Sequence, residues 1–209
     1  MSGNGVRLVA REGIPVLFGL LVLATISYVS AGIFLALLFV ILFALGLYLF
    51  RDPRCELPSA PLAVLSPASG VIESINHVED YRLSRRAQKV RIRMSPWDTH
   101  CLRCPTEGKV MKQWSSTENN DEFDCECAYW IQTDEGDDLV LSLGMGKLAV
   151  YRKLSIAPGE RAGHGQRCGY LYLASVFDLY VPENARLKVE VGEQVNAGTS
   201  IIGEYVHQA

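Results

Sequence analysis

A chain of 209 residues, 49% of them hydrophobic, is long enough for one domain with its own core and one additional segment. The formal net charge is −3, and residues 1–54 carry four arginines against Glu12 and Asp52, so the remainder stands near −5. That sign argues against a nucleic-acid partner.

The additional segment comes first. No charged residue occurs from Pro15 to Phe50, whereas Arg7, Arg11 and Glu12 precede the run and Arg51, Asp52 and Arg54 follow it. As a single helix the run would be about 54 Å long, far beyond a hydrocarbon core of about 30 Å. Two short helices at about 15–30 and 32–50, turning near 28–32, fit better, and make 1–50 a membrane anchor. Arginines at both ends then lie on one side, which the positive-inside rule makes cytoplasmic. The expected location is the inner (cytoplasmic) membrane, with the rest of the chain facing the cytoplasm. A cleaved signal peptide fits less well, because the run is too long and has no small-residue cleavage site before a polar start.

Residues 51–60 read as a linker containing Pro53 and Pro58. From 61 to 209 the signals are short β runs separated by Gly, Pro, Asn and Asp, at 63–65, 70–75, 90–94, 108–113, 125–133, 139–143, 187–191 and 200–205, with 148–156 another strand or a short helix. Asp134, Glu135, Gly136 and Asp137 are expected to turn a hairpin, and 158–166 to form a polar loop. Without βαβ alternation or a phosphate-cradling glycine loop, the fold class is mostly β: a transmembrane helical hairpin followed by a β-rich barrel or sandwich. Arg82, Arg85, Arg86, Lys89, Arg91 and Arg93 form a basic stretch, and Lys89, Arg91 and Arg93 alternate on one strand face. On a tethered domain such a face would turn toward an anionic leaflet. Segments 66–72 and 191–198 look like turns of a lipoyl- or biotinyl-like sandwich, but no lysine sits at a hairpin tip, so a carrier role is not expected.

Six cysteines, Cys55, Cys101, Cys104, Cys125, Cys127 and Cys168, are expected to be free thiols in a cytoplasmic domain. Cys101 and Cys104 with Cys125 and Cys127 could supply four zinc thiolates. The second spacing spoils the usual knuckle and the flanking turn residues are missing, so no metal site is expected. The stretch 169–182, GYLYLASVFDLYVP, reads as a strand, a break at Ala174–Ser175, and a second strand carrying Phe177, Leu179 and Val181. A serine held at a tight break can turn its hydroxyl on the peptide bond before it. The plain alternative is a small residue at a β-bend, and His100 taken alone reads as a surface-loop histidine.

Taken in order, the hairpin, Phe50-Arg51-Asp52-Pro53, SPASG at 66–70, SPWDTHCLRCP at 95–105 and LASVFDLYVP at 173–182 resemble the compact, membrane-anchored bacterial phosphatidylserine decarboxylase proenzymes. The resemblance runs from about Arg11 to Ile202. It implies a self-processing enzyme in which the Ser175 hydroxyl attacks the Ala174 carbonyl carbon and the resulting ester breaks by elimination. Residues 1–174 would form a large subunit. Residues 175–209 would form a small subunit, and Ser175 would become a pyruvoyl group that acts as electron sink for decarboxylation. The resemblance makes His100 the proton donor and Arg103 a partner for the substrate carboxylate or phosphate. The implied partners are phosphatidylserine, the phospholipid membrane and the cleaved small subunit, and a homo-oligomer is allowed.

Three departures accompany the match. The family aspartate of SPADG is Ser69 here, and a serine cannot support an adjacent positive charge as a carboxylate does. The residue before the nucleophile, a glycine in the family, is Ala174, which tolerates strained dihedrals less well. The family's I-A-G-x-x-A-R-R segment survives only in fragments at 143–153. Two readings stand: a working decarboxylase in which Asp98 or another nearby acid replaces the lost carboxylate, and an uncleaved, non-catalytic homologue that binds lipid or a partner. A membrane-anchored export adaptor is a third, weakened by the missing long helical hairpins.

Overall fold

The computed structural model describes residues 9–53, 55–60, 62–115, 125–144, 151–172 and 176–206. They fall into a helical unit ending at Arg54 and a β unit from Cys55 onward.

In the helical unit a 3₁₀ turn at Arg11–Gly13 leads into α1 (Ile14–Ala31), with Pro15 in the first turn, where its missing N–H has no helical partner to lose. Gly32 ends α1 with a φ of 85°, a conformation open to glycine, and α2 (Ile33–Leu49) starts immediately after it. A Cβ on Gly46 would lie 2.9 Å from Leu17 Cδ2, so the absent side chain lets the helices approach closely. The two ends meet: Ala10 N donates to Phe50 O at 2.8 Å, and Val9 bridges Arg51 in antiparallel fashion. Arg11 and Arg51 therefore stand at one end of a hairpin, as the charge pattern predicts. The segment Arg11–Ser30 is long and apolar enough to cross a membrane, and α2, at 17 residues, is apolar but shorter. Both helices turn large apolar side chains outward, Val29 and Phe34 most completely. The Arg51 guanidinium lies 4.1 Å from the centre of the Tyr48 ring, an aromatic-and-cation pairing suited to a membrane–water boundary.

The β unit contains β1 (Ala63–Leu65), β2 (Gly70–Asp80), β3 (Arg85–Arg93), β4 (Cys101–Arg103), β5 (Gly108–Ser115), β6 (Cys125–Gln132) and β7 (Asp138–Gly144). It continues with β8 (Tyr151–Leu154), β9 (Arg161–Ala162), β10 (Arg167–Tyr172), β11 (Val176–Pro182), β12 (Arg186–Leu187), β13 (Gln194–Val195) and β14 (Ile201–Glu204). One large curled sheet runs β13-β2-β3-β11-β7-β6-β5-β9, and two small ones run β1-β14-β12 and β4-β10-β8. Period-two alternation sets the core: Ile72, Val90, Ile92, Leu139, Leu141, Phe177 and Leu179 are all buried in one cluster. On the opposite face, Asp178 takes Arg91 bidentately at 2.7 and 2.8 Å and Lys89 at 2.9 Å. Arg93 pairs with Glu73. The alternating cations are thus matched on their own sheet face, and they do not form the unopposed basic strip that the sequence suggests.

The predicted hairpin turn is present: Thr133 N donates to Asp137 O and Gly136 N to Thr133 O, with Gly136 at a φ of 90°. Four elements differ from expectation. β2 and β3 are longer than the apolar runs at 70–75 and 90–94, β4 was not anticipated, and 187–191 contributes only the last residue of β12.

Candidate active site

The SPASG segment is fastened from several sides. Ser66 is fully buried, and its hydroxyl donates to Ala68 O at 2.6 Å. Its backbone N–H donates to Ser200 O, and its carbonyl accepts from Gly198 N. Segments 66–72 and 191–198, which resemble each other loosely in sequence, are thereby joined, and Gln194 and Val195 pair with Val71 and Gly70. Ser69 is buried, and its Oγ accepts the Ala197 N–H at 3.1 Å. A Cβ on Gly70 would stand 2.4 Å from Arg93 O, a backbone atom that cannot swing away. Gly70→Ala should therefore lower stability by about 2 kcal/mol or more. Thermal unfolding in detergent checks this, and an unchanged melting temperature would show that the β2–β3 edge yields.

Both flanks of the cleavage segment predicted from sequence lead to these elements. Ala174 and Ser175 themselves lie outside the described residues, as does 145–150 of the eroded motif. After them, Val176 pairs with Arg93 on β3 and with Gly144 on β7, and Arg93 also pairs with Val71, next to Gly70. Before them, Leu171 N donates to His100 O at 2.9 Å, and Tyr170 pairs with Cys101. Pro67 O accepts the Arg103 N–H at 2.9 Å, which ties SPASG to β4. Hydrogen bonding thus links the surroundings of Ser69, His100 and Arg103 to the two strands that border 173–175.

His100 is not the surface-loop residue that its local sequence suggests. It is 3% exposed, and its ring lies 6.1 Å from that of Tyr170, which is itself buried. Sequence reasoning overlooked Tyr170, because an aromatic in an apolar strand carries no chemical signal until register sets it beside the histidine. Of the other described histidines, His77 is exposed and His164 is bonded through Nε2 to Ala63 O at 3.0 Å. Arg103 is half-buried on β4. Asp98, a candidate substitute for the missing carboxylate, closes its own turn: its Oδ2 accepts the Ser95 N–H at 2.7 Å, and its N–H donates to Ser95 O.

Cys55, Cys101, Cys104, Cys127 and Cys168 are reduced thiols outside any disulfide; Cys55 is half-buried and the other four are buried. The Cys168 thiol is pushed well above its ordinary range by its hydrogen bond to Cys104 and by burial. Both effects favour a protonated packing group over a metal-binding thiolate. Among the described residues, no three His, Cys, Asp or Glu side chains cluster as a metal site.

Comparison with known proteins matches residues 42–203 to the family model described as phosphatidylserine decarboxylase. A phosphatidylserine decarboxylase proenzyme of Nitrosomonas eutropha is 32% identical over 95% of each chain. One from Cupriavidus taiwanensis is 33% identical over 94% of this chain and 95% of its own. Among solved structures, the glucose permease IIA of Mycoplasma capricolum is similar at a TM-score of 0.43 and 17% identity, over 68% of this chain and 94% of that one. With the family model spanning most of the β unit and relatives matching nearly end to end, the chain belongs to the phosphatidylserine decarboxylase family.

Proposed function

We propose that the chain is a proenzyme that cuts itself between Ala174 and Ser175 and then converts phosphatidylserine to phosphatidylethanolamine at a cytoplasmic membrane surface. The observation that carries this reading is His100, a buried imidazole whose backbone is hydrogen-bonded to Leu171, three residues ahead of Ala174. In the maturation step Ser175 Oγ attacks the Ala174 carbonyl carbon, the C–N bond breaks, and an ester forms with a free amine on residue 175. Loss of the α-proton expels the Ala174 carboxylate, and hydrolysis of the resulting enamine releases ammonia and leaves a pyruvoyl group. When formed, that group supplies a carbonyl that can accept the electron pair freed by loss of carbon dioxide.

The chain's own residues do the rest. His100, held by Leu171 and walled by Tyr170, would deliver a proton to the carbon from which carbon dioxide leaves. Arg103 would hold the charged headgroup. The small subunit 175–209 would stay in place after the cut, because it contains β11 and β14 and each pairs with strands that precede the break. The apolar hairpin 1–50 would keep the site at the bilayer, where the substrate resides. No observation favours the non-catalytic alternative.

The test is the intact mass of the detergent-solubilised protein under denaturing conditions. Two fragments, the smaller with a blocked, carbonyl-bearing start, are expected; one stable species of 23.1 kDa would overturn the proposal. A second measurement addresses Ser69. An aspartate there could keep the Ala197 N–H on one oxygen and offer the other to a developing imidazolium. Ser69→Asp should accelerate self-cleavage by about tenfold, followed as conversion of full-length chain with time, since a charge-assisted hydrogen bond exceeds a neutral one by about this much. An unchanged rate would mean that the lost carboxylate does not limit maturation.

A further inference from the structure

We propose that Arg167 is a second anion-binding arginine, which with Arg103 forms a subsite for the phosphodiester of the lipid headgroup. The inference rests on the decarboxylase reading and deepens it by separating the phosphate from the carboxylate. Nothing in the local sequence marks Arg167, which ends a polar, glycine-rich loop. Strand pairing marks it. Arg167 and Arg103 are register partners between β10 and β4, beside a bulge between Arg167 and Gly169, and partners across an antiparallel pair project from the same face. Both are half-buried. Two guanidinium groups carried on one face of a strand pair can offer their forks to the same anion.

The neighbouring contacts point this pair toward the reaction. The Arg167 guanidinium lies 5.8 Å from the centre of the Tyr170 ring, and that ring lies 6.1 Å from His100. The Tyr170 ring thus neighbours both the second arginine and the proposed proton donor. On the other side the Arg103 stem is backed by Gly198: with a φ of 74°, a Cβ there would lie 2.6 Å from Cys55 Sγ and 3.0 Å from Arg103 Cγ. The two forks therefore sit on paired strands, one backed by an aromatic ring and the other by a glycine.

The chemistry decides which anion they hold. Decarboxylation discharges the substrate carboxylate in the transition state. A cation gripping that carboxylate would stabilise the ground state more than the transition state and slow the reaction. A phosphodiester keeps its charge throughout, so binding energy spent on it does not oppose the chemistry. Two guanidinium forks match phosphate oxygens bidentately. Inorganic phosphate offers the same oxygens, and only the headgroup offers them with the serine attached.

The experiment uses the purified full chain in detergent with two readouts. The first is decarboxylation of phosphatidylserine in mixed micelles. Arg167→Gln should raise KM by about tenfold or more, with kcat within about threefold and self-cleavage unchanged. The second is calorimetric titration with glycerophosphoserine and with inorganic phosphate, which needs no turnover. Glycerophosphoserine should bind more tightly than phosphate and should lose about tenfold in affinity on Arg167→Gln. If the wild-type chain neither cleaves nor decarboxylates, the functional reading fails while the titration still judges the subsite. Equal affinities in wild type and variant would overturn the subsite, and tighter binding of inorganic phosphate would overturn its assignment to the headgroup. Should Arg167→Gln unfold, Arg167→Lys keeps a charge without the fork: reduced affinity supports the proposal, and wild-type KM and affinity sink it.

Discussion

Ser175→Ala should leave a single chain of 23.1 kDa with no decarboxylase activity. The expected effect is all-or-none, because the same side chain is both the nucleophile that breaks the backbone and the source of the electron sink. Alanine has no hydroxyl to attack the Ala174 carbonyl, so neither ester nor elimination is available to it. Folding should survive the change. β10 and β11 border the segment and are held by pairing to β4, β8, β3 and β7, none of which needs the hydroxyl. An unaltered melting temperature with no cleavage would therefore place the defect in chemistry. Ser175→Thr retains the hydroxyl and should still cleave, more slowly, with the smaller fragment heavier by one methylene. Hydroxylamine adds a direct probe: it intercepts an ester and not an amide, so wild-type precursor should yield a 1–174 hydroxamate and a 175–209 fragment that starts with serine. Activity in Ser175→Ala would remove the pyruvoyl mechanism altogether.

Much of this fold could be read from local pattern. The charge gap from Pro15 to Phe50 gave the hairpin, and Gly32 gave its turn. Asp134 to Asp137 gave the β6–β7 connection, since the turn needs a residue at positive φ and only Gly136 suits it. Reading failed where tertiary pairing overrides composition. The start of β3, Arg85 and Arg86, looks like loop, yet the strand is hydrogen-bonded on both sides by β2 and β11, and the charges it carries find partners in Asp178 and Glu73. β4 is three residues between a tryptophan-bearing turn and a proline, too short for any period to show.

The candidate site divides in the same way. Ser175, Ala174, Ser69, His100 and Arg103 could be named because they fall in motifs with fixed order. The burial of His100 and the pairing of Arg103 with Arg167 could not, because both depend on β10 lying against β4, whose paired positions Arg103 and Arg167 are 64 residues apart in the chain. No window of sequence contains both arginines, so their juxtaposition is a property of topology alone.

His100→Gln should lower decarboxylation by roughly 10²- to 10⁴-fold, the range general acids contribute. Glutamine approximates the size of imidazole and can donate a hydrogen bond, but it cannot give up a proton to a carbon centre. Because the His100 carbonyl, not its ring, accepts the Leu171 N–H at 2.9 Å, the β4–β10 pairing should persist in the variant. The chain would then fold with the substrate subsite intact, so the loss should appear in kcat with little change in KM. Self-cleavage should be measured separately on the same preparation. Normal processing with failed turnover assigns His100 to the protonation step alone. Failure of both would give the same imidazole a part in activating Ser175, and in that case Ser69→Asp should restore nothing in the double variant, since a carboxylate at 69 would act only by supporting a charged histidine. Turnover close to wild type would leave the proton to another donor and strip His100 of the role that its burial supports.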